Sequence, residues 1–169
     1  MIPAYIGLGS NLQEPIRQLR SAVVALGELP DCRLAAFSRV YRSAAVGPGN
    51  QPDYLNAVVR LDTEMAPETL LHELQGIESS HGRIRLERWG ARTLDLDILL
   101  YGELALATPT LTVPHPALPL RNFVLYPLAD ISGQKLMLPD GSDLGTLLAR
   151  CPRGDLVRTT LQLNPPISC

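Results

Sequence analysis

The order of hydrophobic patterns in the first hundred residues restricts this chain to few folds. Alternating apolar and polar residues predict strands, and apolar residues three or four positions apart predict helices. The predicted elements are a strand at 4–10, a helix at Pro15–Gly27, strands at 32–43 and Tyr54–Thr63, a helix from Pro67, and a strand around 92–98. This order predicts the ferredoxin-like βαββαβ core of an α+β protein, with a mainly antiparallel sheet and both helices on one face.

The remainder of the chain, residues 102–169, is rich in proline and predicts less regular structure. We expect a short hairpin, a long loop and short helices there, one of them near 144–148. No repeat, linker or shift in composition divides the sequence, so a single domain over residues 1–169 is expected. The tail from about residue 160 is expected to be frayed.

The composition favours a globular protein that binds neither nucleic acid nor membrane. The net charge of -2 lacks the basic excess of generic binders of nucleic acid or anionic lipid. The N-terminus lacks signal-peptide features, and no apolar run approaches the length of a membrane span. Three cysteines without a CxxC pair indicate neither a zinc site nor a disulfide framework, so we expect a reduced, cytoplasmic setting.

The stretch "RTLDLDI" places two aspartates, Asp95 and Asp97, on one face of the last predicted strand. Their backbones would lie about 6.6 Å apart, and two like charges at that spacing call for a cation. Four arginines come shortly before them: Arg83, Arg85, Arg88 and Arg92. Carboxylates suit Mg²⁺ and arginine forks suit phosphate, which favours a nucleoside triphosphate site. The alternative is a solvated strand face beside a salt-bridged surface.

Four further side chains suit a bound heterocycle or phosphate. Trp89 lies in a charged loop flanked by glycine, where it could stack on a flat ligand or pack on the domain surface. His115 lies between two prolines and suits phosphate, although a single loop histidine is commonly incidental. Asn56 could read a donor and an acceptor on a heterocycle edge, and Phe123 could stack on it or belong to the core.

Four longer segments resemble one enzyme family. They are "YIGLGSNL", "VGPGNQPDYLNAVV", "RWGARTLDLDILLYG" and "LTVPHPALPLRNFVLYPL", in register over residues 4–128. Together they resemble 6-hydroxymethyl-7,8-dihydropterin pyrophosphokinase, the ATP-dependent family of folate biosynthesis. The resemblance implies a three-layer α/β/α sandwich, a monomer, and transfer of the β,γ-pyrophosphoryl group of ATP to the hydroxymethyl oxygen of the pterin, with release of AMP. It leaves open whether the chain acts beside the next enzyme of that pathway.

The resemblance also implies roles for individual residues. Two Mg²⁺ ions are expected on Asp95 and Asp97. The residues expected to be catalytic are Arg83, Arg92 and Asp97. Those expected to bind ATP are Gln75, Glu78, Arg83, Arg85, Arg92, Ile98, Leu111, Thr112, His115 and Arg121. Those expected around the pterin are Ser43, Ala44, Val46, Tyr54, Asn56, Trp89 and Phe123.

Two departures from the family pattern and two rival functions accompany this interpretation. Ser43, Ala44 and Ala45 stand where family members often have Thr-Pro-Pro, and the basic loop is one residue shorter. One rival is a Mg²⁺-dependent nucleotidyltransferase on a ferredoxin-like palm. The other is a non-catalytic RNA-recognition module, although such modules expose aromatic residues on central strands and lean basic.

Overall fold

A computed structural model of the chain describes residues 1–12, 14–44, 51–81 and 93–163, and the predicted order of elements is present in them. The strands are β1 (Ile2–Ser10), β2 (Cys32–Phe37), β3 (Tyr41–Ser43), β4 (Tyr54–Thr63), β5 (Asp95–Tyr101), β6 (Leu106–Ala107), β7 (Thr112–Val113) and β8 (Val157–Arg158). The helices are α1 (Pro15–Gly27), α2 (Pro67–Ser80), α3 (Asn122–Ser132) and α4 (Leu144–Arg150), with a 3₁₀ turn at Leu118–Leu120.

The main sheet is antiparallel throughout, and its central strands are β1 and β4. The strand order is β5-β1-β4-β3-β8, and β2 pairs with β4 beyond β3. The first and third strands of the βαββαβ unit therefore lie side by side. This confirms the ferredoxin-like prediction.

The prediction of one strand over residues 32–43 is wrong, because the chain breaks at Ser38. The Ser38 N–H donates to the Val58 carbonyl at 2.8 Å, while the Ser38 hydroxyl accepts from the Val58 N–H at 2.9 Å. A side chain has thus replaced a backbone carbonyl in the ladder. The same hydroxyl donates to the Arg39 carbonyl at 2.7 Å, and pairing resumes at Tyr41.

Helices cover both faces of the sheet. On one face α1 and α2 bury Leu19, Leu26, Leu70 and Leu74 against Ile6 and other strand residues. On the other face α3 and α4 bury Leu125, Leu128 and Leu144 against Val58 and Leu99. The two layers of helix around one sheet form the expected three-layer sandwich. Pro15 and Pro67 open the first two helices, at positions where a missing N–H is tolerated.

The C-terminal third contains the expected hairpin (β6 with β7) and short helices, followed by a segment that crosses the sheet edge. Strand β8 pairs with β3, and the Thr159 N–H donates to the Val40 carbonyl at 2.9 Å. Leu163 is buried on the α1 side, where Arg20 Nε donates to the Gln162 carbonyl at 2.8 Å. The chain is therefore packed past residue 160, where fraying was expected, and residues 164–169 lie outside the described ranges.

Across the described ranges, each helix falls short of the length and apolar character that crossing a bilayer requires.

Candidate active site

A row of opposed residues across three strands forms the base of the site. Gly9 of β1 lies opposite Asp95 of β5 on one side and Asn56 of β4 on the other. Directly opposite residues of antiparallel strands face the same way, so the carboxylate and the amide share the α3/α4 face of the sheet. With strands about 4.8 Å apart, their backbones lie about 10 Å from each other. The glycine between them leaves that space open.

Strand β5, which carries the two aspartates, alternates between partly exposed and buried side chains as predicted. Asp95 and Asp97 are partly exposed, whereas Leu94, Leu96 and Ile98 are buried in the core formed with α1 and α2. Gly7 of β1 lies opposite Asp97, so both aspartates face a glycine. The two carboxylates therefore share one face of the sheet.

Glu78 of α2 fixes the peptide between the two aspartates. Its side chain is 5% exposed, and Oε2 accepts the N–H of Leu96 at 2.9 Å. Among the strands of the described ranges β5 lies at the edge of the sheet, so a side chain takes the place of a neighbouring strand as acceptor for this N–H. The buried carboxylate therefore holds the strand segment from which both aspartates project.

His115 lies against β5 on the same side of the site. Its N–H donates to the carbonyl of Leu99 at 2.9 Å, and Leu99 is the extra residue at a bulge where β1 and β5 shift register. Burial lowers the pKa of His115; the Asp97 charge acts in the opposite direction and the Arg121 charge in the same one. Its Nδ1 accepts the N–H of Ala117 at 3.1 Å, so the neutral ring carries its proton on Nε2. The ring can thus donate to an anionic ligand.

Arg121 and Phe123 form a cation–π pair at the start of α3. The guanidinium carbon lies 5.5 Å from the ring centroid. Phe123 is partly buried against the core on the α3 side of the sheet. The pair therefore places a cation and an aromatic ring beside each other on the face that carries Asn56.

Asn56 is held in one orientation by its neighbours. It is 5% exposed, and its Nδ2 donates to Ser43 Oγ at 2.8 Å. Its Oδ1 lies 3.2 Å from the point that a Cβ at position 9 would occupy. Tyr54 lies two residues earlier on the same strand and is partly exposed, and Ala44 follows Ser43 at the surface. These residues form a polar wall beside the glycine.

The other predicted residues lie in three places. Ile98 and Leu111 are buried in the core on the α1 side, so only their backbones are available to a ligand. Gln75 and Thr112 are exposed, on α2 and β7 respectively. The remaining five fall outside the described residues: Val46, Arg83, Arg85, Trp89 and Arg92.

The two carboxylates are oxygen donors of the kind that hold hard divalent cations such as Mg²⁺ or Mn²⁺. Within the described ranges no group of three or more His, Cys, Asp or Glu side chains converges on one point. Mg²⁺ is commonly held by one or two carboxylates, with waters and substrate phosphates completing its octahedron. Oxygen donors on an open sheet face, opposite two glycines, meet that requirement.

A cavity of about 590 Å³ lies elsewhere, between α3, α4 and the β3/β8 edge. Tyr41 in its wall donates to both oxygens of Asp130, at 3.0 and 2.9 Å, and burial is the main cause that raises its pKa to about 12. None of the residues predicted for the site lines this cavity. The cavity and the residues predicted for the site therefore occupy different parts of the described molecule.

The fold, with two carboxylates, a cation and a histidine near one face of the sheet, suits an α+β enzyme that handles a phosphorylated co-substrate. Residues 5–133 match the family described as 7,8-dihydro-6-hydroxymethylpterin-pyrophosphokinase (HPPK), and the chain belongs to this family.

Curated relatives match nearly end to end. A 2-amino-4-hydroxy-6-hydroxymethyldihydropteridine pyrophosphokinase of Pseudomonas aeruginosa is 53% identical over 148 residues, covering 88% of this chain and 91% of the relative. The enzyme of the same name from Haemophilus influenzae is 45% identical, covering 98% of this chain and all of the relative.

Solved structures share the fold at low sequence identity. A crystal structure of HPPK-DHPS with substrates has a TM-score of 0.69 at 11% identity and covers 88% of this chain. Wild-type Plasmodium falciparum HPPK-DHPS has a TM-score of 0.66 at 12% identity. This chain spans 43% and 44% of those two chains, so they are longer proteins that contain a similar domain.

Proposed function

We propose that this chain transfers the pyrophosphoryl group of ATP to 6-hydroxymethyl-7,8-dihydropterin, giving AMP and the pterin diphosphate, in tetrahydrofolate biosynthesis. The family match and the names of relatives covered over nearly their whole length support this reaction. The structural observation that supports it is the row Asp95–Gly9–Asn56, in which a carboxylate proposed for metal and an amide proposed for the pterin edge lie on one face, with backbones about 10 Å apart.

The pterin half of the site is assigned to the β3–β4 side. Asn56 offers an amide whose orientation Ser43 fixes, and Phe123 offers a ring for stacking. Tyr54 and Ala44 border the same space. Val46 and Trp89 complete this set as predictions from the family resemblance, outside the described residues.

The nucleotide half is assigned to the β5 side. Arg121 and the Nε2–H of His115 supply positive charge and a hydrogen-bond donor for phosphate oxygens. The family resemblance adds Arg83, Arg85 and Arg92 for the phosphates, outside the described residues. It adds Gln75 and Thr112, together with the backbones of Ile98 and Leu111, around the nucleoside. Glu78 supports this half indirectly, through its bond to Leu96.

Asp95 and Asp97 are proposed to hold two Mg²⁺ ions. When bound, the ions neutralise triphosphate charge and relieve the repulsion between the two carboxylates. The protein's own part is positioning and charge, since phosphoryl transfer requires little covalent chemistry from the enzyme. The cation–π pair of Arg121 and Phe123 is proposed to bring a phosphate-binding cation next to the ring on which the pterin stacks, and so to help align the hydroxymethyl oxygen with the group that it attacks.

Identification of the nucleotide products tests the proposal. ATP, Mg²⁺ and the pterin are incubated with the protein, and AMP, ADP and pyrophosphate are separated. AMP that depends on the pterin and is not accompanied by pyrophosphate is expected. ADP would indicate an ordinary kinase, and pyrophosphate without free AMP, the adenylyl group having gone to the pterin, would indicate the rival nucleotidyltransferase. An RNA-recognition module would form none of these products.

We also propose a partner for the enzyme. The two solved chains described above are HPPK-DHPS proteins, which supports action beside the next enzyme of the pathway. The monomeric state and the cytoplasmic setting stay predictions.

A further inference from the structure

The side chains of Ser10 and Asn11 join the end of β1 to the segments that precede both strands of the site. We propose that these neighbouring residues are positioning residues, Ser10 for the carboxylates of β5 and Asn11 for the pterin-reading residues of β4. The inference rests on the proposed function, because it assigns each residue to one half of that site.

Ser10 acts toward the metal side. It is fully buried, and its Oγ donates to the carbonyl of Thr93 in a short hydrogen bond. Thr93 is itself buried and lies two residues before Asp95. The last paired residues of β1 and β5 are Gly9 and Asp95, so this bond continues the attachment of β5 past the end of the ladder.

Asn11 acts toward the pterin side. It is 1% exposed, and its Nδ2 donates to the carbonyl of Pro52 at 3.0 Å and to Gln51 Oε1 at 3.4 Å. Pro52 lies two residues before Tyr54 and four before Asn56. The bond therefore holds the chain immediately before the strand that presents the amide.

Both strands begin after long connections, which makes these bonds matter. Residues 44–53 join β3 to β4, and residues 81–94 join α2 to β5. A strand end at a long connection has few bonds that define its position, and local opening there requires little free energy. Since β1 is the central strand between β4 and β5, one dipeptide at its end reaches both neighbours.

The two bonds point to opposite sides of β1, so their loss should have separable effects. Loss of one hydrogen bond corresponds to a factor of about 5 to 10 in an equilibrium constant. Ser10→Ala should raise the Mg²⁺ concentration for half-maximal AMP formation by about that factor, with pterin affinity unchanged. Asn11→Ala should weaken pterin binding by about that factor, with the Mg²⁺ requirement unchanged.

The experiment measures both quantities for both variants. The Mg²⁺ requirement is taken from initial rates at saturating ATP and pterin, and pterin affinity from calorimetry with a non-hydrolysable ATP analogue and saturating Mg²⁺. Ser132→Ala is the matched control, because its hydroxyl also donates to a backbone carbonyl, that of Leu128 at 2.9 Å, at the far end of α3 from Phe123. It should change neither quantity.

The inference is supported if Ser10→Ala changes only the Mg²⁺ requirement and Asn11→Ala changes only pterin affinity. If each variant shifts both quantities in proportion to its loss of thermal stability, or if neither quantity moves, the inference is wrong. Should an alanine variant fail to fold, Ser10→Cys and Asn11→Leu keep roughly the side-chain shape while weakening or removing the donor. Ser10→Cys should then change only the Mg²⁺ requirement and Asn11→Leu only pterin affinity. Wild-type protein without pterin-dependent AMP would instead contradict the proposed function.

Discussion

Gly9→Ala should weaken pterin binding while leaving the fold almost as stable. The added methyl carbon would lie 3.2 Å from Asn56 Oδ1, closer than the 3.4–4 Å of ordinary contact, so the amide must move by a few tenths of an ångström. That shift strains the 2.8 Å bond to Ser43 Oγ. Losing one such bond corresponds to about 1 kcal/mol, or about a five-fold rise in the pterin Kd.

The effect of Gly9→Ala on the free energy of unfolding should be small, because two contributions to it oppose each other. Alanine in a strand gains about 0.5–1 kcal/mol over glycine, because glycine loses more backbone entropy on folding. This gain offsets the strained bond, so the free energy of unfolding should change by less than about 1 kcal/mol.

Calorimetric pterin titration and urea unfolding measure the two effects on the same samples. Gly27→Ala is the control, since nothing lies within 4 Å of its added methyl group at the end of α1. It should leave pterin affinity unchanged. Unaltered pterin affinity in Gly9→Ala would refute the claim that this glycine makes room for the amide.

Three further changes probe the metal site and the fold. Asp97→Asn should lower turnover by at least about 100-fold, because a carboxylate proposed to hold metal is lost. The thermal midpoint of the metal-free protein should stay the same or rise, because the variant removes a repulsion between like charges. A fall in that midpoint would mark Asp97 as structural. Asp62→Asn should cost about 1–2 kcal/mol at pH 7 by urea unfolding, because Arg60 Nε donates to the buried Asp62 at 2.8 Å. The hydrogen bond from Arg60 lowers the pKa of Asp62 below 3.8. This stabilisation is therefore present above pH 3.8 and should vanish as the pH falls through the folded-state pKa. If wild type and Asp62→Asn differ in free energy of unfolding by the same amount at every pH, the ion-pair explanation is wrong. Tyr41→Phe should cost about 1 kcal/mol by losing the bond to Asp130, and an unchanged urea midpoint would show that the bond is not stabilising.

Elements with long local periodicity were predictable from sequence. Strand β4 has the predicted bounds, and helix α1 begins and ends at the predicted Pro15 and Gly27. The aspartate strand alternates as expected because a strand with one buried face must do so. The pyrophosphoryl reaction and the pterin came from the family resemblance, since carboxylates and arginines alone indicate only a phosphate and a metal.

Features that depend on distant partners were not predictable. The break at Ser38 depends on Val58, twenty positions away, and β8 has only two residues, too few for a periodic signal. The attachments of Ser10 and Asn11 gave one sequence signal, a polar pair at the end of a buried strand. Their partners are backbone carbonyls, which no side-chain pattern reveals.

The fate of each phosphorus of ATP tests the central claim most directly. The protein is given ATP labelled at either the α- or the γ-phosphorus, together with Mg²⁺ and 6-hydroxymethyl-7,8-dihydropterin. Pyrophosphoryl transfer predicts γ-label in the pterin product and α-label in AMP alone. Label from the α-phosphorus in the pterin product would show nucleotidyl transfer, and γ-label in the pterin product with ADP as the partner would show single phosphoryl transfer; either would contradict the account.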